Sequence, residues 1–231
     1  MPILTSMALV AILLAIGGYA AGAWRSRVRE RELTSLLAER NEELQAARSE
    51  IARLSSRDAL TALATYPHFQ QFLEGEWRRA SRELTPISLI TLELDHFDSY
   101  RHRLGDEAGN ACLKEVATIL RDAVGRPGDL VGRHDGDKFV IVLARTDSDG
   151  VHALAVKLRA AIEALEIPHP ASPTASYVTI SLGIATAVPS RTATWQEIEL
   201  IAATERALVN AKRLGCNRVA RGEFIGGEVK K

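Results

Sequence analysis

The first 24 residues carry no charged side chain, and Arg25, Arg27, Arg29 and Arg31 follow at once. A spanning helix needs roughly 20 apolar residues, and a buried soluble helix of that length usually shows a polar stripe. Residues 1–24 are therefore expected to form a transmembrane helix, with the basic flank held on the cytoplasmic side of an inner membrane. A cleaved signal peptide is the rival, since Ala21-Gly22-Ala23 offers small residues to a peptidase. Against it, the cationic stretch that should precede the apolar run is missing.

Residues 25–56 contain no Gly or Pro and read as one continuous helix. Leu37, Leu44 and Ile51 recur every seventh residue, as do Leu33, Arg40, Ala47 and Leu54, so the helix has a coiled-coil seam with one charged interruption. A parallel dimer stalk and a solvated single helix both remain open.

Beyond the stalk the chain is ordinary globular sequence. Lys+Arg 29 against Asp+Glu 29 gives a net charge of +0, so no global basic field suggests DNA or RNA as a partner. Two cysteines, Cys112 and Cys216, make neither a disulfide framework nor a Cys-rich metal site, and the histidines lack zinc-ligand spacing.

Over residues 57–223 the hydrophobic period alternates, while 224–231 read as a tail. Helical spacing covers 67–82, 99–124, 149–165 and 195–214; strand-like runs cover 87–94, 130–134, 138–143, 177–188 and 217–220. Strands alternating with helices imply an α/β sandwich. Asp135-Gly136, between two of the strands, predicts a hairpin turn of type I′, in which both central residues take positive φ. Arg126-Pro127-Gly128-Asp129 predicts a type II turn, with Pro at its second position and Gly at its third. Phe97 and Phe139 are expected in the core.

The hairpin string Arg133-His134-Asp135-Gly136-Asp137-Lys138-Phe139 resembles the GGDEF signature of diguanylate cyclases. The resemblance extends over the whole globular part. Asp58-Ala59-Leu60-Thr61-Ala62-Leu63 is similar to the family's opening motif, Glu93-Leu94-Asp95-His96-Phe97 to its D-x-D-x-F strand end, and Ser181-Leu182-Gly183-Ile184-Ala185 and Ala211-Lys212-Arg213-Leu214-Gly215 to later segments. It implies a nucleotidyl-cyclase-like sheet with flanking helices, and an activity that joins two GTP molecules into cyclic di-GMP across a dimer. Such phosphoryl transfer depends on divalent metals and on placement of the attacking hydroxyl. By resemblance, Glu93 and Asp137 would hold Mg²⁺, provided the site is still competent, with the Leu94 carbonyl as a third ligand.

The departures fall on the chemistry. Glu93 stands where the family has an Asp, and Lys138 stands where the signature has its Glu. An ammonium there repels metal ions and cannot ligate them while charged. Asp135 replaces the first signature Gly, and Arg101 and Asn110 replace the Asn and Asp that read guanine. Asp98 replaces a Lys, and Cys216 replaces an Arg beside Lys212, so two partners for phosphate are gone.

Arg126 and Asp129 have the spacing and place of the family's inhibitory R-x-x-D site, which binds cyclic di-GMP. A guanidinium can donate two parallel bonds to phosphate, and a carboxylate can accept from guanine N–H groups. Lys157 takes the place of a further family Arg and keeps the charge without the fork. The leading expectation is a membrane-anchored degenerate GGDEF protein that binds cyclic di-GMP at Arg126, Asp129 and Lys157 and signals to an unidentified protein. A weak or altered cyclase and a purely structural dimerisation partner are the alternatives.

Overall fold

A computed structural model describes Arg40, residues 56–190 and residues 196–223. The expected membrane span, nearly all of the expected stalk and the tail lie outside the described residues. Among the described residues no helix is long and apolar enough to cross a membrane.

The elements run β1 (Ala64–Thr65), α1 (Tyr66–Glu83), β2 (Ile87–Leu94), α2 (Phe97–Ala123), β3 (Leu130–Asp135), β4 (Lys138–Ala144), α3 (Ser148–Glu163), β5 (Ile180–Ala187), α4 (Glu197–Arg213) and β6 (Val219–Arg221). Six strands form one sheet in the order β1-β3-β4-β2-β5-β6. The two edge pairs, β1 with β3 and β5 with β6, are parallel, and the inner pairs are antiparallel.

Side chains alternate between the faces of a strand, and β2 is apolar on both because helices cover both. Ile90, Leu92 and Leu94 pack with α2 and α3, whereas Ile87 and Leu89 pack with α1 and α4. Glu93 shares the α1/α4 face by parity, which places it under α4. Gly183 lets α4 lie almost on β5, since a β-carbon there would sit 2.0 Å from the Thr204 carbonyl oxygen.

Helical periodicity predicts 99–124 as a single span, but α2 breaks at Gly105, which takes φ 87 and ψ 166. The hairpin also differs from its expected form. The two-residue loop is Gly136-Asp137, one position later than the sequence suggests, and of these two residues Gly136 alone has positive φ, at 48°. A register shift between Arg133 and Asp135 absorbs the extra residue, so Asp135 ends β3 and faces Lys138 across the ladder.

Candidate functional site

The ends of β2 and β4 bring the signature residues together. Glu93 stands directly opposite Lys138 in the β2/β4 register and opposite Ser181 in the β2/β5 register. Although Lys138 faces it, the Glu93 carboxylate takes an ion pair and hydrogen bond from Lys212 Nζ, near the end of α4. Both side chains are partly buried, at 26% and 32% exposure. Asp137 lies within the field of the same group: burial first, then the Glu93 charge, pushes its carboxyl up to about 6, with Lys212 opposing. Two acids therefore share a half-buried site whose counterion comes from the chain itself.

This donor set does not fit a pair of divalent ions. Among the described residues no group of three or more His, Cys, Asp or Glu side chains is placed to hold a metal. Glu93 is already engaged by an ammonium, and a second ammonium, Lys138, stands opposite it. Mg²⁺ requires close to octahedral oxygen coordination, which would mean displacing Lys212 and accommodating Lys138.

Asp95 has a different task from its neighbour Glu93. It is 1% exposed, and its carboxylate accepts from Thr179 Oγ1 (2.8 Å), Ser181 Oγ (2.6 Å) and the Asn217 backbone N–H (2.9 Å). These donors come from β5, the loop before it and the loop after α4, so Asp95 ties the strand end to both. Cys216 packs beside it, with Sγ 3.8 Å from His96 Nε2. His96 and Cys216 both take left-handed backbone conformations, with φ 57 and 61.

Arg101 and Asn110 are both exposed on α2. The Arg101 guanidinium is held by Asp106, with Nε donating to Oδ1 at 3.0 Å. Its stem covers Gly109: a β-carbon on that residue would come 2.8 Å from Arg101 Cγ. Where the resemblance puts a guanine reader, this chain thus has a cation folded over the adjacent glycine.

Arg133, which sequence reasoning quoted without a role, fastens the hairpin. Its Nε (3.1 Å) and Nη2 (2.6 Å) donate to the Gly136 carbonyl, and Nη1 donates to Asp58 Oδ1 (3.1 Å). Burial tends to raise the Asp58 carboxyl, but donors from Thr61 and Arg133 outweigh it and hold the group below its ordinary range. Asp135 is exposed and meets His134 Nδ1 at 3.0 Å. Among the described residues it forms no ion pair with Lys138, so it does not neutralise that ammonium. Phe97 and Phe139 are buried, as expected for core residues.

The Arg126–Asp129 turn lies at the other end of β3 from the hairpin, about 20 Å away by strand rise. The Asp129 N–H donates to the Arg126 carbonyl at 3.1 Å, and Gly128 takes φ 96, as the expected turn demands. Arg126 is exposed. Asp129 Oδ1 accepts from the Ala144 backbone N–H at 3.0 Å, which anchors the turn to the end of β4. Burial raises the Asp129 carboxyl, with the Ala144 bond and the Arg126 charge opposing. Lys157 is exposed in the third turn of α3. No hydrogen bond or ion pair among the described residues joins it to the turn.

The family described as "Diguanylate cyclase, GGDEF domain" matches residues 55–218. A "Probable diguanylate cyclase DgcT" of Escherichia coli is 30% identical over 172 residues, covering 74% of this chain and 37% of that protein. "Diguanylate cyclase DgcP" of Pseudomonas aeruginosa is 33% identical over 162 residues, covering 70% and 23%. The chain thus spans well under half the length of these curated relatives. Among solved structures, the GGDEF domain of DgcB from Caulobacter crescentus, in complex with c-di-GMP, aligns with TM-score 0.65 and 23% identity over 73% of this chain and 93% of that one.

Proposed function

This chain belongs to the diguanylate cyclase GGDEF family, and on that premise we propose that it is a cyclic di-GMP receptor rather than a cyclase. One contrast carries the reading. The Arg126–Asp129 turn is formed, with its guanidinium exposed, while Glu93 is closed on Lys212 with Lys138 opposite. Arg126 would bind phosphate or the guanine Hoogsteen edge, and Asp129 would accept from guanine N–H groups. The c-di-GMP complex of the Caulobacter crescentus domain supports the choice of ligand.

Diguanylate cyclases of this family use Mg²⁺ when active. A second reading, a weak or altered cyclase, is favoured by one feature: the Glu93 charge helps to raise the Asp137 carboxyl, so the two acids lie within each other's field. In the receptor reading the chain is anchored in the inner membrane by residues 1–24 and paired through residues 25–56. Ligand then shifts the arrangement of the pair toward the form that binds it better, and an output protein reads that form.

Calorimetry with cyclic di-GMP tests the proposal. The full chain gives saturable heat, and Arg126→Ala abolishes or strongly weakens it. A wild-type chain that gives no heat contradicts the receptor reading.

A further inference from the structure

The sheet ends differently at its two edges. At one, β1 pairs with β3 on its inner side, and the chain before it covers the outer side through an antiparallel bridge between Arg57 and Ala64. At the other, β6 pairs with β5, and among the described residues no strand lies beyond it.

The backbone of β6 divides between its two sides. The Leu182 N–H donates to the Arg218 carbonyl at 2.9 Å, and the Gly222 N–H donates to the Ile184 carbonyl at 2.7 Å. In a parallel pair alternate residues turn their peptide groups to the neighbouring strand, so Arg218, Ala220 and Gly222 face β5. The N–H and C=O groups of Val219 and Arg221 therefore point outward, where a further strand would pair.

The charges around this edge are mostly basic. Arg218 and Arg221 are exposed on the strand and beside it. Gly222 lies against α4, since a β-carbon on it would come 2.4 Å from the Ala203 carbonyl oxygen, and helical spacing puts Arg206 and Arg213, both exposed, on the same stripe as Ala203. Arg213 and Arg218 are held by neutral acceptors, the Asn210 side chain and the Cys216 carbonyl, at 3.0 Å each. Three acids stand nearby. Glu199 accepts from the Gln196 N–H and so caps its own helix. Asp149 meets Arg221 at 3.5 Å with both side chains more than half exposed, a contact that costs little to give up. Glu223 lies past the end of the strand.

We propose that the outer edge of β6 accepts an extended acidic segment of a partner protein as a seventh strand. Main-chain bonds to Val219 and Arg221 set its register, and the arginines favour carboxylates alongside. The same arginines disfavour a second copy of this chain, because pairing two β6 edges brings like charges together. Docking here does not depend on whether the turn before β3 binds cyclic di-GMP.

A synthetic peptide of alternating Glu and Val, added to the full chain, tests the proposal, with a Lys-Val peptide as its counterpart. Fluorescence anisotropy is expected to show binding of the Glu-Val peptide alone, weakening as salt is raised. Hydrogen exchange at the Val219 and Arg221 amides slows on binding. Val219→Pro removes an outward N–H that no bond to β5 uses, so the ladder survives while binding weakens about tenfold or more; Val219→Ala keeps the N–H and binds as the wild type does. Arg221→Glu, a change on an exposed side chain, abolishes binding. The proposal is overturned if the Glu-Val peptide does not bind, or if folded Val219→Pro or Arg221→Glu binds it as the wild type does. Protection of the two amides without peptide also overturns it. Loss of that protection on removing residues 224–231 assigns the edge to the chain's own tail, and its dependence on protein concentration assigns the edge to a second copy.

Discussion

Lys212 on α4 closes an ion pair on Glu93 at the end of β2, across 119 positions of sequence, even though Lys138 is the residue that faces Glu93 in the sheet. The pairing makes the pocket its own counterion. Glu93 and Asp137 crowd each other, and an ammonium carried on a neighbouring helix relieves the repulsion.

Lys212→Met should therefore lower stability by about 1–2 kcal/mol, the order for a charged hydrogen bond still partly in water. Glu93→Gln costs less, because Asp137 loses a repelling neighbour at the same time. Urea unfolding of both single variants and the double variant checks the pair, with a double-variant loss smaller than the sum of the two.

Burial first, then the Glu93 charge, pushes the Asp137 carboxyl up to about 6 in the folded chain, from an ordinary value of 3.8. Between those values the native state binds more protons than the unfolded state, so this group makes stability fall as pH rises through the window, with no further loss above it. Asp137→Asn removes the effect. The variant should melt higher than the wild type at pH 8 and match it below pH 4, as scanning calorimetry would show. Lys212→Met shifts the Asp137 titration upward, and Glu93→Gln shifts it downward.

Asp95→Ala leaves donors from Thr179, Ser181 and Asn217 without their common acceptor in a buried place. A loss of about 2–4 kcal/mol is expected by denaturant titration, with faster hydrogen exchange at Asn217. Stability equal to wild type would mean that the two loops are held by other contacts.

Gly183→Ala drives a β-carbon into the Thr204 carbonyl, a rigid obstacle because it is helix backbone. The expected result is a loss above about 3 kcal/mol, with α4 lifted from β5 and the Lys212 pair broken. Near-native circular dichroism and melting would contradict the tight helix-on-strand contact.

Elements with a clear period were legible in the sequence. The apolar run at Ile87–Leu94 has its predicted bounds, and the ends of α1 and α4 fall within two residues of expectation. The Arg126–Asp129 turn was legible because Pro and Gly fix local dihedrals without help from distant chain. What depends on partners far along the chain was not. Lys212 on Glu93 and the satisfaction of Asp95 require the sheet order, which no local pattern encodes. β1 is two residues long, too short to show a period, and exists because β3 pairs with it. The hairpin shifted by one residue because the ladder absorbed Asp135 into β3.

The proposed receptor role requires that this pocket does not cyclise GTP, and turnover measures that most directly. The full chain is incubated with GTP and Mg²⁺, and cyclic di-GMP is quantified beside a control without protein. The account predicts no product above that control; sustained formation of cyclic di-GMP by the wild type would contradict it.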